Sequence, residues 1–161
     1  MTAPVWQSGR TYQGYDYAEL GKQVDRLVLR VAAYDTRIGK TPIAPMEPLE
    51  EVYYALAQIG DVVDAEKLSL MLTTTAVVRG AGGSETIPGS AVEAKKAEEG
   101  VSAHYADRYA CAYLSAKSET IWYLDERAGA ERVNLLRCFG VDQICLERLN
   151  GISPELLKGL K

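Results

Sequence analysis

The sequence has few of the residues from which catalytic and metal sites are most often built. It contains one histidine and three cysteines in 161 residues, and no two cysteines form a CxxC pair. A structural zinc site needs four nitrogen or sulfur ligands in close pairs, so the pattern argues against one. A catalytic Cys/His or Ser/His/Asp group would have to use His104, with Cys111 on the same predicted helix as a partner. The sequence therefore predicts no metal, no cofactor and no enzyme active site.

Long apolar runs and a strong excess of one charge are also missing. No stretch approaches the roughly 18 apolar residues that a membrane-spanning helix needs, and residues 1–7 lack the layout of a secretory signal. The formal net charge is only −4, so a contact with nucleic acid would need a local basic patch. The three cysteines are interpreted as free thiols in a reducing compartment. These absences predict a cytoplasmic protein without a membrane partner.

The repeating pattern of apolar residues predicts an all-α fold. Apolar side chains recur at three- and four-residue steps, which favours a compact bundle of about five to seven helices. The bundle is predicted to form a single domain over residues 1–161. Its first helix is predicted from Tyr17 to Ile38, with Asp16 and Glu19 at the spacing of a capping box. Residues 1–14 show no helical period and are predicted to form an extended N-terminal arm.

The rest of the chain fits the same interpretation. Two further helices are predicted between residues 48 and 72, and a long one over 102–127, where tyrosines recur every four residues. Residues 73–78 are rich in β-branched side chains and would suit a strand, but a helix is favoured because no partner strand is evident. The glycine-rich segment 80–89 is predicted to be a flexible loop. Residues 130–161 are predicted to form a subregion of short helices, in which Asp142 caps one helix and Ser153 begins the last.

One face of the predicted first helix concentrates positive charge. At about 100° per residue, four cations fall within an arc of roughly 80° opposite the apolar side; they are Lys22, Arg26, Arg30 and Arg37. This stripe is either the solvated side of an amphipathic helix or a phosphate-binding surface, to which Arg10 of the arm would add.

Aromatic side chains around the arm form a second predicted contact surface. Trp6, Tyr12 and Tyr15 are unfavourable to leave in water, so they are predicted to dock against a partner. Aromatic rings beside cations suit single-stranded nucleic acid, and they suit a protein groove equally well.

The segment from Leu136 to Leu157 contains a turn of Gly140, Val141 and Asp142, followed by Leu149 and the pair Ile152-Ser153. It resembles a helix-turn-helix element and is similar to the end of the flagellar master-regulator D subunit family. The resemblance implies a dimeric DNA-binding protein in which Arg137 and Arg148 contact DNA.

Three functions remain open from the sequence. The favoured one is a non-catalytic helical subunit of a larger assembly, such as a small-subunit-like or viral connector-like part of a nucleoprotein complex. Its expected partners are protein subunits, a second copy of the chain, and RNA or DNA. The alternative is a DNA-binding transcription regulator that uses the helix-turn-helix-like element. The third is an enzyme centred on His104.

Overall fold

The computed structural model describes residues 15–31 and 45–161, and it mixes helices with two β-sheets. The predicted all-α bundle is therefore wrong. The helices are α1 (Tyr17–Gln23), α2 (Leu49–Gly60), α3 (Val92–Lys96), α4 (Glu126–Cys138) and α5 (Pro154–Gly159). The strands are β1 (Leu27–Arg30), β2 (Leu68–Leu72), β3 (Thr75–Gly80), β4 (Gly83–Pro88), β5 (Ser102–Ala106), β6 (Cys111–Ser115), β7 (Glu119–Tyr123) and β8 (Ile144–Leu146). The predicted arm, residues 1–14, lies outside the described residues, and the single-domain organisation stays a prediction.

Three parallel strands form the first sheet, in the order β1-β2-β8. Leu27 pairs with Leu68, and Leu70 pairs with Ile144. Short, nearly continuous apolar runs are typical of parallel strands that are covered on both faces. The strand order follows the order along the chain, as in a segment of a β/α barrel, whereas a doubly wound sheet reverses its order.

Helices α2 and α4 connect these strands and cover the sheet. α2 runs between β1 and β2, and it buries Val52, Leu56 and Ile59 in the main core. α4 precedes β8 and adds Leu136 to the same core. None of the helices in the two described ranges combines the length and apolar character needed to cross a membrane.

The second sheet is antiparallel and is inserted between β2 and α4. Its strand order is β4-β3-β7-β6-β5. Side chains alternate along each strand, so Ala112, Leu114 and Ile121 enter a small core of their own. On the opposite face, the ring of Tyr113 stacks between those of His104 and Trp122, with centroid distances of 5.0 Å and 4.8 Å.

The helix predictions fail where short apolar segments form strands, whereas the predicted helix that begins at Leu49 is present as α2. The predicted helix from Tyr17 ends at Gln23 and is followed by β1. Residues 73–78 contribute to β3, whose partners β4 and β7 come from the predicted loop 80–89 and the predicted helix 102–127. In that same predicted helix lie β5, β6 and β7. Tyr105 lies on β5, Tyr109 in the turn after it and Tyr113 on β6, so their regular spacing does not reflect one helix face.

The predicted helix caps at Asp16 and Ser153 agree with the structure. Asp16 Oδ1 accepts a hydrogen bond from the Glu19 N–H at 2.9 Å. Ser153 caps α5 in the same way, by accepting from the Glu155 N–H at 3.2 Å. Local hydrogen-bond chemistry depends on adjacent residues alone, which is why the sequence reveals it.

Candidate functional site

A groove of about 670 Å³ lies at the carboxyl ends of the three parallel strands. Its lining residues come from the segments after β1, β2 and β8 and from β3 and β4 of the antiparallel sheet. They are Arg30, Val31, Met46, Thr73, Thr75, Val77, Thr86, Ile87, Pro88, Glu147, Arg148, Asn150 and Gly151. Ligands of barrel and open α/β folds bind at this end of the strands, where the connecting loops converge.

An ion pair spans the groove between the outer strands. Arg30 ends β1 and Glu147 follows β8, and their Nη2 and Oε1 atoms are 2.9 Å apart. The Glu147 N–H also donates to the Leu72 carbonyl at 2.9 Å, which fixes its backbone to the end of β2. The two side chains are 45% and 20% exposed, so a ligand in the groove can reach both.

The remaining lining residues are hydroxyl, amide and apolar side chains, together with one further cation. Hydroxyls come from Thr73, Thr75 and Thr86, and an amide from Asn150. Arg148 is exposed and carries the second positive charge. The groove is therefore suited to a neutral or acidic ligand with many hydrogen-bonding groups.

A buried arginine lies behind the groove wall. Arg132 of α4 is fully buried and donates four hydrogen bonds to backbone carbonyls. The acceptors are Ala110 at 2.7 Å, Ala128 at 2.9 Å, Met46 at 2.8 Å and Glu47. Ala110 and Glu47 have positive φ angles of 52° and 41°, a backbone conformation that residues other than glycine rarely adopt. Arg132 thus holds two strained turns together and fixes Met46, which lines the groove.

Glu47 completes this buried cluster. Its Oε1 accepts from the N–H of Thr73 at 2.6 Å, which ties the segment before α2 to the end of β2. Burial raises the pKa of Glu47 to about 7, against the opposing charge of Arg132 and the hydrogen bonds from Thr73. Glu47 is 1% exposed and does not line the groove, so it positions the groove wall.

Cys111 and His104 do not form a catalytic pair. Cys111 is fully buried and its thiol donates to the Met46 carbonyl at 3.0 Å. Burial raises the pKa of Cys111 to about 11, so the thiol is a poor nucleophile. His104 is exposed on β5 and its Nε2 lies 3.0 Å from the Ser115 hydroxyl.

A second depression, of about 800 Å³, lies beside β5 and α4 and includes Lys96 and Arg127. Lys96 is held between Glu93 and Glu155 at 2.7 Å from each. Arg127 is paired with Asp107 at 2.7 Å and Glu131 at 2.9 Å, and it lies 3.9 Å from the centre of the Tyr105 ring. Each cation of this depression has two carboxylate partners, whereas Arg148 in the groove has none among the described residues, so the groove is the stronger candidate.

The structure separates the members of the predicted cationic stripe. Lys22 is in α1 and pairs with Glu19 at 2.6 Å, Arg26 lies between α1 and β1, and Arg30 ends β1 in the groove. They therefore do not share one helix face, because the predicted helix does not continue past Gln23. Arg10 and Arg37 lie outside the described residues.

The predicted docking residues are only partly described. Trp6 and Tyr12 lie outside the described ranges. Tyr15 is 49% exposed and stacks against Tyr17 with a centroid distance of 6.5 Å. Its role in docking a partner stays a prediction, as does self-association.

The helix-turn-helix-like element is absent from the described C-terminal region. Between α4 and α5 the chain forms β8, which pairs with β2 in the parallel sheet. Arg137 is exposed near the end of α4, whereas Arg148 follows β8 and lines the groove. Asp142 was predicted to cap a helix, but the apolar residues after it complete the sheet.

Comparisons with solved structures identify what this fold is similar to. The chain matches a chitinase from Chromobacterium violaceum with a TM-score of 0.81 and 18% identity, covering 99% of this chain and 54% of that one. It matches the spore cortex-lytic enzyme SleL of Bacillus cereus with a TM-score of 0.77 and 16% identity, over 96% of this chain and 39% of that one. A glycoside hydrolase family 18 N-acetylglucosaminidase from Paenibacillus barengoltzii gives a TM-score of 0.72 and 14% identity, over 91% and 51%. No protein-family model matches the sequence, and no curated protein matches it.

These similarities overturn the functions favoured by the sequence. The chain shares its fold with glycan-cleaving enzymes, and it spans about half or less of their length. The expected non-catalytic nucleoprotein subunit, the DNA-binding regulator and the absence of enzymatic character are therefore wrong. Sequence reasoning also missed Glu147, Arg132 and Glu47. The sequence did offer one signal. The short apolar run 144–146 is followed directly by Glu147 and Arg148, which is typical of a buried strand with charged residues at its carboxyl end.

Proposed function

We propose that this chain is part of a glycoside hydrolase that binds an N-acetylglucosamine-containing polysaccharide in the groove. The observation that carries the proposal is the Arg30–Glu147 pair, which lies at the carboxyl ends of the parallel strands. The fold similarity to a chitinase, a cortex-lytic enzyme and an N-acetylglucosaminidase supports the choice of substrate class.

A sugar ring fits the chemistry of the groove. Its hydroxyl and acetamido groups can hydrogen-bond to Glu147, Arg30 and the threonine hydroxyls, and charged partners make the stronger of these bonds. Its apolar ring face can pack against Val77, Ile87 and Pro88, which also line the groove. A groove that hydrogen-bonds each polar group of a sugar discriminates strongly between similar sugars. A sugar that lacks one of these groups leaves a polar side chain of the groove without its hydrogen-bond partner.

Cleavage of a glycosidic bond needs an acid that protonates the leaving oxygen, a nucleophile or activated water, and stabilisation of an oxocarbenium-like transition state. We assign neither the acid nor the nucleophile to the described residues of this chain, and the proposal for them is glycan binding. Among the groove-lining residues of the described ranges, Glu147 is the one carboxylate. We assign it to sugar binding. Arg30 holds that carboxylate in position. Glu47 lies behind the wall, and we assign no proton transfer to it.

The experiment measures binding of N-acetylglucosamine oligomers of increasing length by calorimetry. The protein is expected to bind the oligomers, with affinity rising with length, and Glu147→Gln to weaken binding about tenfold by loss of charged hydrogen bonds. Glu66→Gln is the matched control, because Glu66 is exposed and outside the groove. Absence of oligomer binding, or equal loss in both variants, contradicts the proposal.

A further inference from the structure

Among the residues that the structure describes, the groove carries one more positive than negative side chain. Two guanidinium groups, of Arg30 and Arg148, line it together with the single carboxylate of Glu147. Arg30 is paired with that carboxylate at 2.9 Å. Arg148 is exposed, and within the described ranges no acidic side chain pairs with it. This local excess contrasts with the net charge of −4 for the whole chain.

The position of Arg148 makes this charge available to a ligand. It directly follows Glu147 in the segment after β8, and Asn150 and Gly151 of the same segment also line the groove. The backbone on either side is fixed, because Glu147 N–H donates to the Leu72 carbonyl and Ser90 N–H to the Gly151 carbonyl, both at 2.9 Å. A planar guanidinium on a fixed segment is well suited to bind a carboxylate with two parallel hydrogen bonds.

We propose that Arg148 binds a carboxylate carried by the polysaccharide, so that the groove prefers an acidic glycan to a neutral one. The one excess positive charge among the described lining residues matches a monoanion, and the Arg30–Glu147 contact is a carboxylate–guanidinium pair within the same groove. Neutral hydroxyl and amide donors would suffice for a glycan without charge. The inference rests on the proposed function and specifies the substrate class of the same site.

The test compares two tetrasaccharides of N-acetylglucosamine units, one with a carboxylate-bearing ether substituent on alternate sugars and one with these carboxylates converted to amides. Calorimetry on the full chain at low salt is expected to show about tenfold tighter binding of the carboxylate form. Arg148→Ala should abolish this preference and leave affinity for the amide form within about twofold. Raising the salt concentration should reduce the preference, because the attraction is between exposed charges.

Two further variants make the result specific. Arg137→Ala removes an exposed arginine outside the groove and is expected to leave the preference unchanged. Glu147→Gln removes the competing carboxylate and frees Arg30, so the preference for the carboxylate form should increase. This inference alone is overturned if the unaltered protein binds both forms with equal affinity. It is also overturned if Arg148→Ala lowers the affinity for the carboxylate form and the amide form by the same factor. Failure to bind either form contradicts the proposed function and, with it, this inference.

Discussion

Arg132 and Glu47 lie behind the groove wall, where they are 0% and 1% exposed, whereas the side chains of Arg30 and Glu147 in the groove are 45% and 20% exposed. The buried arginine binds four backbone carbonyls, and the buried glutamate accepts from the Thr73 N–H. In the groove, by contrast, the two side chains bind each other. The same pair of residue types therefore stabilises the fold in one place and remains available to a ligand in the other.

Removing the buried arginine should have the largest effect. Arg132→Met would leave the carbonyls of Glu47 and Ala110 without their donor and the Met46 carbonyl with the Cys111 thiol alone, and the free energy of unfolding should fall by about 3–5 kcal/mol. Urea denaturation measures the change. Arg137→Met, on the exposed side of the same helix, should change stability by no more than about 0.5 kcal/mol. Similar losses in the two variants would mean that Arg132 has no special role.

The buried glutamate should make stability depend on pH. Its pKa is about 7 in the folded protein against an ordinary value of 4.5, so between these values the folded protein binds a proton that the unfolded chain has released. The free energy of unfolding should therefore fall by about 2–3 kcal/mol as the pH rises from 4.5 to 7.

Urea denaturation across this pH range tests the assignment. Glu47→Gln should remove the decrease, and Glu66→Gln should retain it. The groups that face Glu47 include Arg132, Glu147 and Cys111, of which the arginine stays charged throughout. An unchanged profile in Glu47→Gln would assign the pH dependence to another group.

The groove pair should contribute much less to stability. Arg30→Met and Glu147→Gln are each expected to lower the free energy of unfolding by less than about 1 kcal/mol, since exposed ion pairs are screened by water. Denaturation of both variants beside Arg132→Met measures the contrast directly. A loss from either variant that matches the loss from Arg132→Met would remove the distinction between the two pairs.

The parts of this arrangement differ in how far the sequence predicts them. Helix α2, its proline start at Pro48 and the Asp16 and Ser153 caps follow from adjacent residues. The strands were missed because β1 and β2 are short apolar runs whose partners are far away in sequence. Leu27 of β1, for example, pairs with Leu68, and Leu70 of β2 pairs with Ile144.

The site was missed for the same reason. Arg30 was singled out as one of several cations on a helix, but its partner Glu147 lies 117 residues further on. The sequence did not predict that Arg132 is buried, because an arginine in an amphipathic helix is usually exposed. Only the three-dimensional structure shows the backbone carbonyls to which it donates.

A titration of the protein with N-acetylglucosamine oligomers, monitored by backbone amide NMR shifts, would locate the glycan-binding site. The amides of Arg30, Thr73 and Glu147 are expected to shift most, while those of His104 and Tyr105 beside the second depression are expected not to shift. Shifts confined to the second depression, or no shifts at saturating oligomer, would contradict the assignment of the groove as a glycan-binding site.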